Sequence, residues 1–129
     1  MEKFLLLIRE DLSKTRRQSE EERYQDIRIM DEWVKALAQS GNYLFGDGLK
    51  PAGKYINRDS VLSDGPFIEA KEAVNGYIFM QAPDIEEMAS IAQTCPYVMN
   101  GNMVIEIRPV LGLQDIRELG DKKRTTGNK

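Results

Sequence analysis

Charged side chains that could do chemistry lie in two parts of this 129-residue sequence. The first part begins at Asp64 and continues through Glu69 and Lys71, and the second is the pair Glu106 and Arg108. A carboxylate can act as a general base or accept hydrogen bonds from a polar ligand, and a nearby cation favours its ionised form. These five residues are therefore the candidate ligand-binding residues, and Asp64 is the candidate catalytic residue.

A structural role is the alternative for each of these residues, and the sequence leaves both open. Asp64 precedes a Gly-Pro pair, and an aspartate at the start of such a turn commonly accepts hydrogen bonds from nearby backbone N–H groups. Glu69 and Lys71 have the composition of a solvated surface cluster, unless the connection folds back over the cleft and Lys71 joins a polar site. Glu106 and Arg108 either bridge two subunits or bind a ligand.

The absence of histidine and the single cysteine, Cys95, exclude several kinds of site. Without histidine the chain lacks the commonest general base, the commonest zinc ligand and any Ser-His triad. One cysteine can form neither an intrachain disulfide nor a metal site with several thiolates, and we expect Cys95 to be a buried, inert thiol. The sequence therefore predicts no metal and no cofactor.

The net charge and the length of the apolar segments limit which partners and which cellular compartment the sequence predicts. The formal net charge of −3 offers no basic field for nucleic acid or an anionic membrane. The apolar run at residues 3–8 is too short to span a membrane and too close to acidic residues for a signal peptide. The sequence therefore predicts a cytoplasmic protein with neither nucleic acid nor membrane as a partner.

The elements that must position the charged residues begin with a continuous apolar run at residues 4–8, which is typical of a central strand. Ser19 and Glu22 form a capping box, and the apolar residues that follow at helical spacing predict a helix over residues 20–40. Gly41 stands where a left-handed cap would end that helix.

The later elements alternate strands with one more helix. A strand over residues 43–45 runs into a bend at 46–48, and a hairpin of residues 54–57 and 60–63 follows. A charged connection over 67–75 then leads to a strand over 76–82. Asp84 opens the second helix, Pro96 ends it, and the last strand covers residues 103–108. Residues 12–18 are predicted as a loop. The order predicts an α+β, ferredoxin-like βαββαβ sandwich with an inserted hairpin.

The apolar residues on the faces of the predicted strands indicate a protein partner. Residues 77–80 are largely apolar on both faces, and two helices cover only one face of a four-stranded sheet. A second copy of the same sheet can cover the other face, so we expect a homodimer. The folded domain is assigned to residues 1–110, and residues 111–129 to a C-terminal extension that we expect to be mobile.

The nine residues that start at Asp64 read DGPFIEAKE, which resembles the DGPF signature of YCII-related proteins, usually DGPFAETKE. The segment at residues 46–51 resembles the glycine-rich segment of that family, and residues 76–78 resemble its next strand. Pro96 and the run Arg108-Pro109-Val110 also fit, so the resemblance covers residues 1–110.

The resemblance implies a dimeric α+β barrel with a histidine and an aspartate as the suspected reactive pair, and Met30 stands about where members carry the histidine. Members are often encoded beside sigma factors of the extracytoplasmic-function type. We expect the protein to bind a small polar ligand in the cleft between the sheet and its partner subunit. One alternative is an enzyme that uses Asp64 with Lys71 or Arg108, and another is an interaction module linked to sigma-factor-dependent transcription.

Overall fold

The computed structural model describes residues 1–11, 19–50, 52–63 and 72–127 of the chain. In chain order the elements are β1 (Glu2–Asp11), α1 (Glu20–Gln39), β2 (Tyr43–Gly48), β3 (Lys54–Ile56), β4 (Val61–Ser63), β5 (Glu72–Ala82), α2 (Ile85–Gln93), α3 (Pro96–Met99), β6 (Met103–Pro109) and α4 (Leu113–Gly127). The loop predicted over residues 12–18 and the signature segment at residues 64–71 lie outside the described residues.

One antiparallel sheet holds the four long strands in the order β2-β5-β1-β6. Strands that are neighbours in the sequence, such as β1 and β2, are separated in the sheet, and α1 and α2 provide the crossings between them. This is the strand order of a ferredoxin-like fold, so the predicted fold class is confirmed. The predicted hairpin is also confirmed, because β3 and β4 pair with each other in a separate two-stranded sheet.

The core lies between the sheet and one layer of helices. Alternate residues of β1 and β5 point to this side, and α2 covers them with Met88 and Ala92. Half-buried side chains of α1, among them Met30, Trp33 and Leu37, pack against the same cluster. The fully buried side chains of the sheet are Phe4, Leu6, Met80 and Ala82.

Helix α1 begins and ends where the sequence predicts. The Ser19 hydroxyl oxygen accepts a hydrogen bond from the backbone N–H of Glu22 at 3.1 Å, which satisfies one of the donors that a helix start leaves open. At the other end Gly41 has a φ of 82°, the left-handed conformation that stops a helix. The Asp84 carboxylate caps α2 in the same way, accepting from the Glu87 N–H at 2.8 Å.

The cap of α1 gives a first testable prediction. We expect Ser19→Ala to lower the free energy of unfolding by about 1 kcal/mol, and Ser19→Gly by only a few tenths of that. Alanine removes the acceptor, whereas glycine leaves room for water to reach the open N–H groups. Urea unfolding of both variants measures the difference, and a Ser19→Gly variant less stable than Ser19→Ala would contradict this account of the cap.

Three predicted boundaries are wrong. Residues 46–48 do not form a bend but continue β2, where they pair with residues 76–78 of β5. Residues 72–75 belong to β5 rather than to a connection, because a register shift beside Ile8 and Arg9 lets β1 pair with β5 as far as Asp11 and Glu72. Helix α2 also ends at Gln93, and Pro96 opens the short helix α3 instead of ending α2.

Helix α4 is an element that the sequence analysis does not predict. It occupies residues 113–127 of the extension and exposes the apolar residues Leu113, Ile116 and Leu119. The mobility of the extension and the domain boundary at residue 110 stay predictions.

Candidate functional site

A cavity of about 380 Å³ lies between α1 and the sheet, at the end of β2 and β5. Its wall on the α1 side consists of Ile27, Met30 and Val34, which follow one another at helical spacing. Tyr97 of α3 and Met103 of β6 contribute to the lining as well. Met30, the position where the family resemblance places a histidine, therefore faces this cavity.

The opposite wall is made by glycines of the sheet. Gly46 and Gly48 of β2 and Gly76 of β5 line the cavity, and Gly48 is the cross-strand partner of Gly76. A Cβ atom on Gly46 would lie 2.6 Å from the carbonyl oxygen of Tyr77, so the close approach of the two strands requires glycine there. At Gly48 the nearest atom to an added Cβ would be 3.9 Å away. These three glycines, the glycine floor, place no side chain of their own between the main chain of the sheet and the cavity. Tyr43 also lines the cavity, and its hydroxyl donates to the Gly46 carbonyl oxygen at 3.5 Å.

Polar groups gather at one end of the cavity. A second hollow of about 200 Å³ shares Ile27, Asn75, Tyr97 and Met103 with the cavity, and Glu10 and Asp26 are among its other lining residues. The side-chain amide of Asn75 donates a hydrogen bond to the Glu10 carboxylate at 2.7 Å. We call this end, lined by Glu10, Asp26, Asn75 and Tyr97, the polar rim.

The Tyr97 hydroxyl stays protonated at neutral pH. Burial raises its pKa, and the negative charges of Asp26 and Glu10 raise it further. A protonated phenol can both donate and accept a hydrogen bond, so Tyr97 offers a neutral polar contact to a molecule in the cavity.

Charged residues lie on the other face of the sheet, away from the helices. Glu106 accepts hydrogen bonds from the Arg9 guanidinium at 3.1 and 3.3 Å and from that of Arg108 at 3.5 Å. Glu106 and Arg9 are each about one third exposed, whereas the Arg108 side chain is 67% exposed. Two cations therefore share one carboxylate on a half-open surface.

Aromatic side chains cover the β2 side of the same face. The rings of Phe45 and Phe79 stack with centroids 4.6 Å apart, and Tyr77 meets Phe79 edge to face at 6.1 Å. The Tyr77 hydroxyl donates to the Asp47 carboxylate at 2.9 Å, and this bond is the main cause of the raised pKa of Tyr77. We call this side of the sheet, which carries Leu5, Leu7, Phe45, Tyr77, Phe79 and the charged trio Arg9, Glu106 and Arg108, the open face.

The structure brings some of the predicted site residues together and leaves others undescribed. Glu106 and Arg108 are neighbours on the open face, with Arg9 as a third member, but none of the three lines the cavity. Asp64, Glu69 and Lys71 lie outside the described residues. Their segment joins β5 at Glu72, three positions before Asn75 of the polar rim.

Arg9 and the residues around the cavity were not predicted from the sequence as site residues. Strand alternation places Arg9 on one face with Leu5 and Leu7, and that signal was available. Its partner Glu106 is 97 positions away, so the ion pair depends on the pairing of β1 with β6. Gly48 and Gly76 carry no local signal of their shared role.

The single cysteine does not take part in the site. Cys95 is fully buried, its thiol donates to the Met30 sulfur at 3.8 Å, and burial raises its pKa. A thiol that holds its proton is a poor nucleophile. In the described part of the chain no group of three or more histidine, cysteine, aspartate or glutamate residues could hold a metal ion, and no helix is long and apolar enough to cross a membrane.

Comparison with known proteins agrees with this architecture. The model of the YCII-related domain family matches residues 5–114. No curated protein matches the sequence. Among solved structures, the fold is similar to that of the 5-chloro-2-hydroxyhydroquinone dehydrochlorinase TftG from Burkholderia phenoliruptrix, in complex with 2,5-dihydroxybenzoquinone. The TM-score is 0.50 and the sequences are 17% identical, over 82% of this chain and 90% of that chain. Since the family match covers most of the sequence, the chain belongs to the YCII-related family.

Proposed function

We propose that the protein binds a small organic molecule in the cavity between α1 and the sheet. The observation that carries this proposal is the cavity itself, which has an apolar wall, a bare glycine floor and a polar rim. Its volume of about 380 Å³ falls within the range of about 300–1,000 Å³ that is usual for small-molecule sites. Such sites combine mostly apolar lining with a few polar groups that fix the orientation of the ligand.

The lining supports a ligand that is apolar along most of its length and polar at one end. Ile27, Met30 and Val34 offer no hydrogen bonds, so a polar group beside them would lose its hydration without compensation. Tyr97 and Asn75 at the rim can hydrogen-bond to a hydroxyl, carbonyl or amine of the ligand. The complex of TftG with 2,5-dihydroxybenzoquinone is in keeping with a ligand of this size.

The test is a cavity-filling substitution combined with a thermal-shift screen of small metabolites. Gly48→Leu places a branched side chain in the cavity, and its Cβ has no neighbour closer than 3.9 Å. We expect compounds that raise the melting temperature of the wild type to lose this effect on Gly48→Leu, while the variant itself melts no lower. The matched control is Gly53→Leu, because an added Cβ at Gly53 meets nothing within 4 Å and Gly53 does not line the cavity. Compounds that stabilise the wild type and Gly48→Leu equally would show that they bind elsewhere.

A second copy of the chain is the proposed partner, and the open face is the proposed interface. Phe45 is 53% exposed, and Leu5, Leu7, Tyr77 and Phe79 beside it are only partly covered. Apolar groups on a continuous sheet face favour burial, and the charged trio offers ion pairs at its edge. In this arrangement Glu106 and Arg108 would contribute to contacts between subunits, one of the two roles predicted for them.

The ligand site first predicted, in the cleft between the sheet and the partner subunit, stays a second candidate. Glu106 and Arg108 would then hold a polar ligand on the open face, with Asp64, Glu69 and Lys71 completing the site. Catalysis by Asp64 with Lys71 or Arg108 and a role in sigma-factor-dependent transcription also stay predictions, as does the cytoplasmic location. Arg108 is less suited to act on a molecule in the cavity of its own subunit, since it projects from the opposite side of the sheet.

A further inference from the structure

The glycine at position 48 has no evident role in the fold. Its φ does not lie in the left-handed region that favours glycine, and a Cβ atom there would meet only the Asn75 carbonyl oxygen, at 3.9 Å. By contrast, Gly41 has a positive φ, and Gly46 stands against the main chain of Tyr77. Glycine within a strand weakens it through lost conformational entropy, and often marks a place where a ligand approaches the backbone closely.

Gly76 is the cross-strand partner of Gly48 and extends this area. A Cβ on Gly76 would lie 3.3 Å from the Asp47 carbonyl oxygen, 3.6 Å from Cδ1 of Ile8 and 3.7 Å from the Cα of Gly48. Neither residue carries a side chain, so the adjacent peptide groups of the two strands are accessible from the cavity, with Ile8 at their border. The apolar side chains of α1 lie across the cavity from these peptide groups.

From this geometry we infer that the cavity selects a flat, conjugated ring compound whose ring lies on the main chain of Gly48 and Gly76. The inference rests on the proposed function of the cavity. An apolar cavity of about 150 Å³ already holds a benzene molecule, so about 380 Å³ accommodates a substituted ring or two fused rings. Met30 and Met103 line the cavity, and flexible, polarizable methionine side chains pack well against an aromatic ring, while Tyr97 can bind a polar substituent.

A pair of probes with the same carbon skeleton, one aromatic and flat and the other saturated and puckered, tests the inference. The probes are 2-naphthalenemethanol and decahydronaphthalene-2-methanol, which carry the same hydroxymethyl group. Their dissociation constants are measured by following backbone amide signals of residues 46–48 and 75–78 by NMR during titration. We expect the aromatic probe to bind wild-type protein at least about fivefold more tightly than the saturated probe, since only a flat ring fits the bare floor.

The substitution Gly48→Ala tests whether the glycine floor causes the preference for the aromatic probe. One methyl group raised above the main chain is expected to weaken binding of the aromatic probe by about tenfold or more and to remove the preference for it. Gly53→Ala, which makes the same chemical change outside the cavity, is expected to leave both affinities unchanged.

The outcomes separate this inference from the proposed function. If both probes shift the cavity amides but the saturated probe binds equally well or better, the cavity is a ligand site and the ring-shape inference is wrong. If Gly48→Ala leaves the preference intact, the floor does not select the ring and the inference is also wrong. If neither probe shifts these amides and the compounds found by the thermal-shift screen also leave them unmoved, the proposed function itself fails. The probe comparison on the wild type stands even if Gly48→Ala does not fold.

Discussion

Replacing Gly46 by alanine is expected to lower the free energy of unfolding by about 3 kcal/mol, a large effect for one methyl group. The added Cβ would lie 2.6 Å from the Tyr77 carbonyl oxygen and 3.0 Å from the Cα of Ile78. Both are main-chain atoms of β5, so no side-chain rotation relieves the contact. The edge strand β2 must move away from β5, which weakens their hydrogen bonds and opens the cavity floor.

The matched control for Gly46→Ala is the same substitution two residues later in the same strand. Gly48→Ala meets nothing closer than 3.9 Å, so we expect its stability to equal or exceed that of the wild type by up to about 1 kcal/mol, because alanine restricts the unfolded chain. Urea unfolding of both variants gives the comparison. Equal stabilities for Gly46→Ala and Gly48→Ala would mean that the strands do not approach each other as closely as described.

The second large effect is expected at the open face, where Phe45→Glu should convert a dimer into monomers. Phe45 stacks on Phe79 and is 53% exposed, and a glutamate in its place would have to lose its hydration in the interface. We expect the dimer dissociation constant to rise by about 100-fold or more, equivalent to about 3 kcal/mol. Light scattering at micromolar concentration should give twice the chain mass of 14.7 kDa for the wild type and the single mass for the variant.

Ile85→Glu is the control, because it also replaces an exposed apolar side chain by a charged one. Ile85 is 39% exposed and begins α2 on the helix side of the sheet, where an acidic residue in the first turn is well tolerated. We expect it to remain dimeric. A folded wild-type monomer, or a Phe45→Glu variant that keeps the double mass, would remove the open face as an interface.

Much of the fold follows from local signals in the sequence. Ser19 and Asp84 indicate the starts of the two main helices, because a side-chain acceptor followed three residues later by a glutamate is a local signature of a helix N-terminus. The apolar run at residues 4–8 indicates a central strand, and β1 does lie between β5 and β6 in the sheet. These signals depend on residues a few positions apart, so one sequence is enough to read them.

The features that the sequence did not reveal depend on contacts between distant segments. The Gly46-Asp47-Gly48 segment has the composition of a turn, yet it continues β2 and pairs with β5, whose main chain comes close enough to require glycine at Gly46. Glu106 and Arg108 were predicted as site residues, but only the pairing of β1 with β6 shows that Arg9 joins them. Residues of α1, β2, β5, α3 and β6 line the cavity. No local sequence pattern predicts that these distant segments lie side by side.

The most direct test of the proposed function is a crystal structure of the protein with the compound that most raises its melting temperature. We predict density for the compound in the cavity, against the main chain of Gly48 and Gly76, with its polar group near Tyr97 or Asn75. Density on the open face beside Glu106 and Arg108, with the cavity empty, would contradict this account and favour the cleft between subunits as the ligand site.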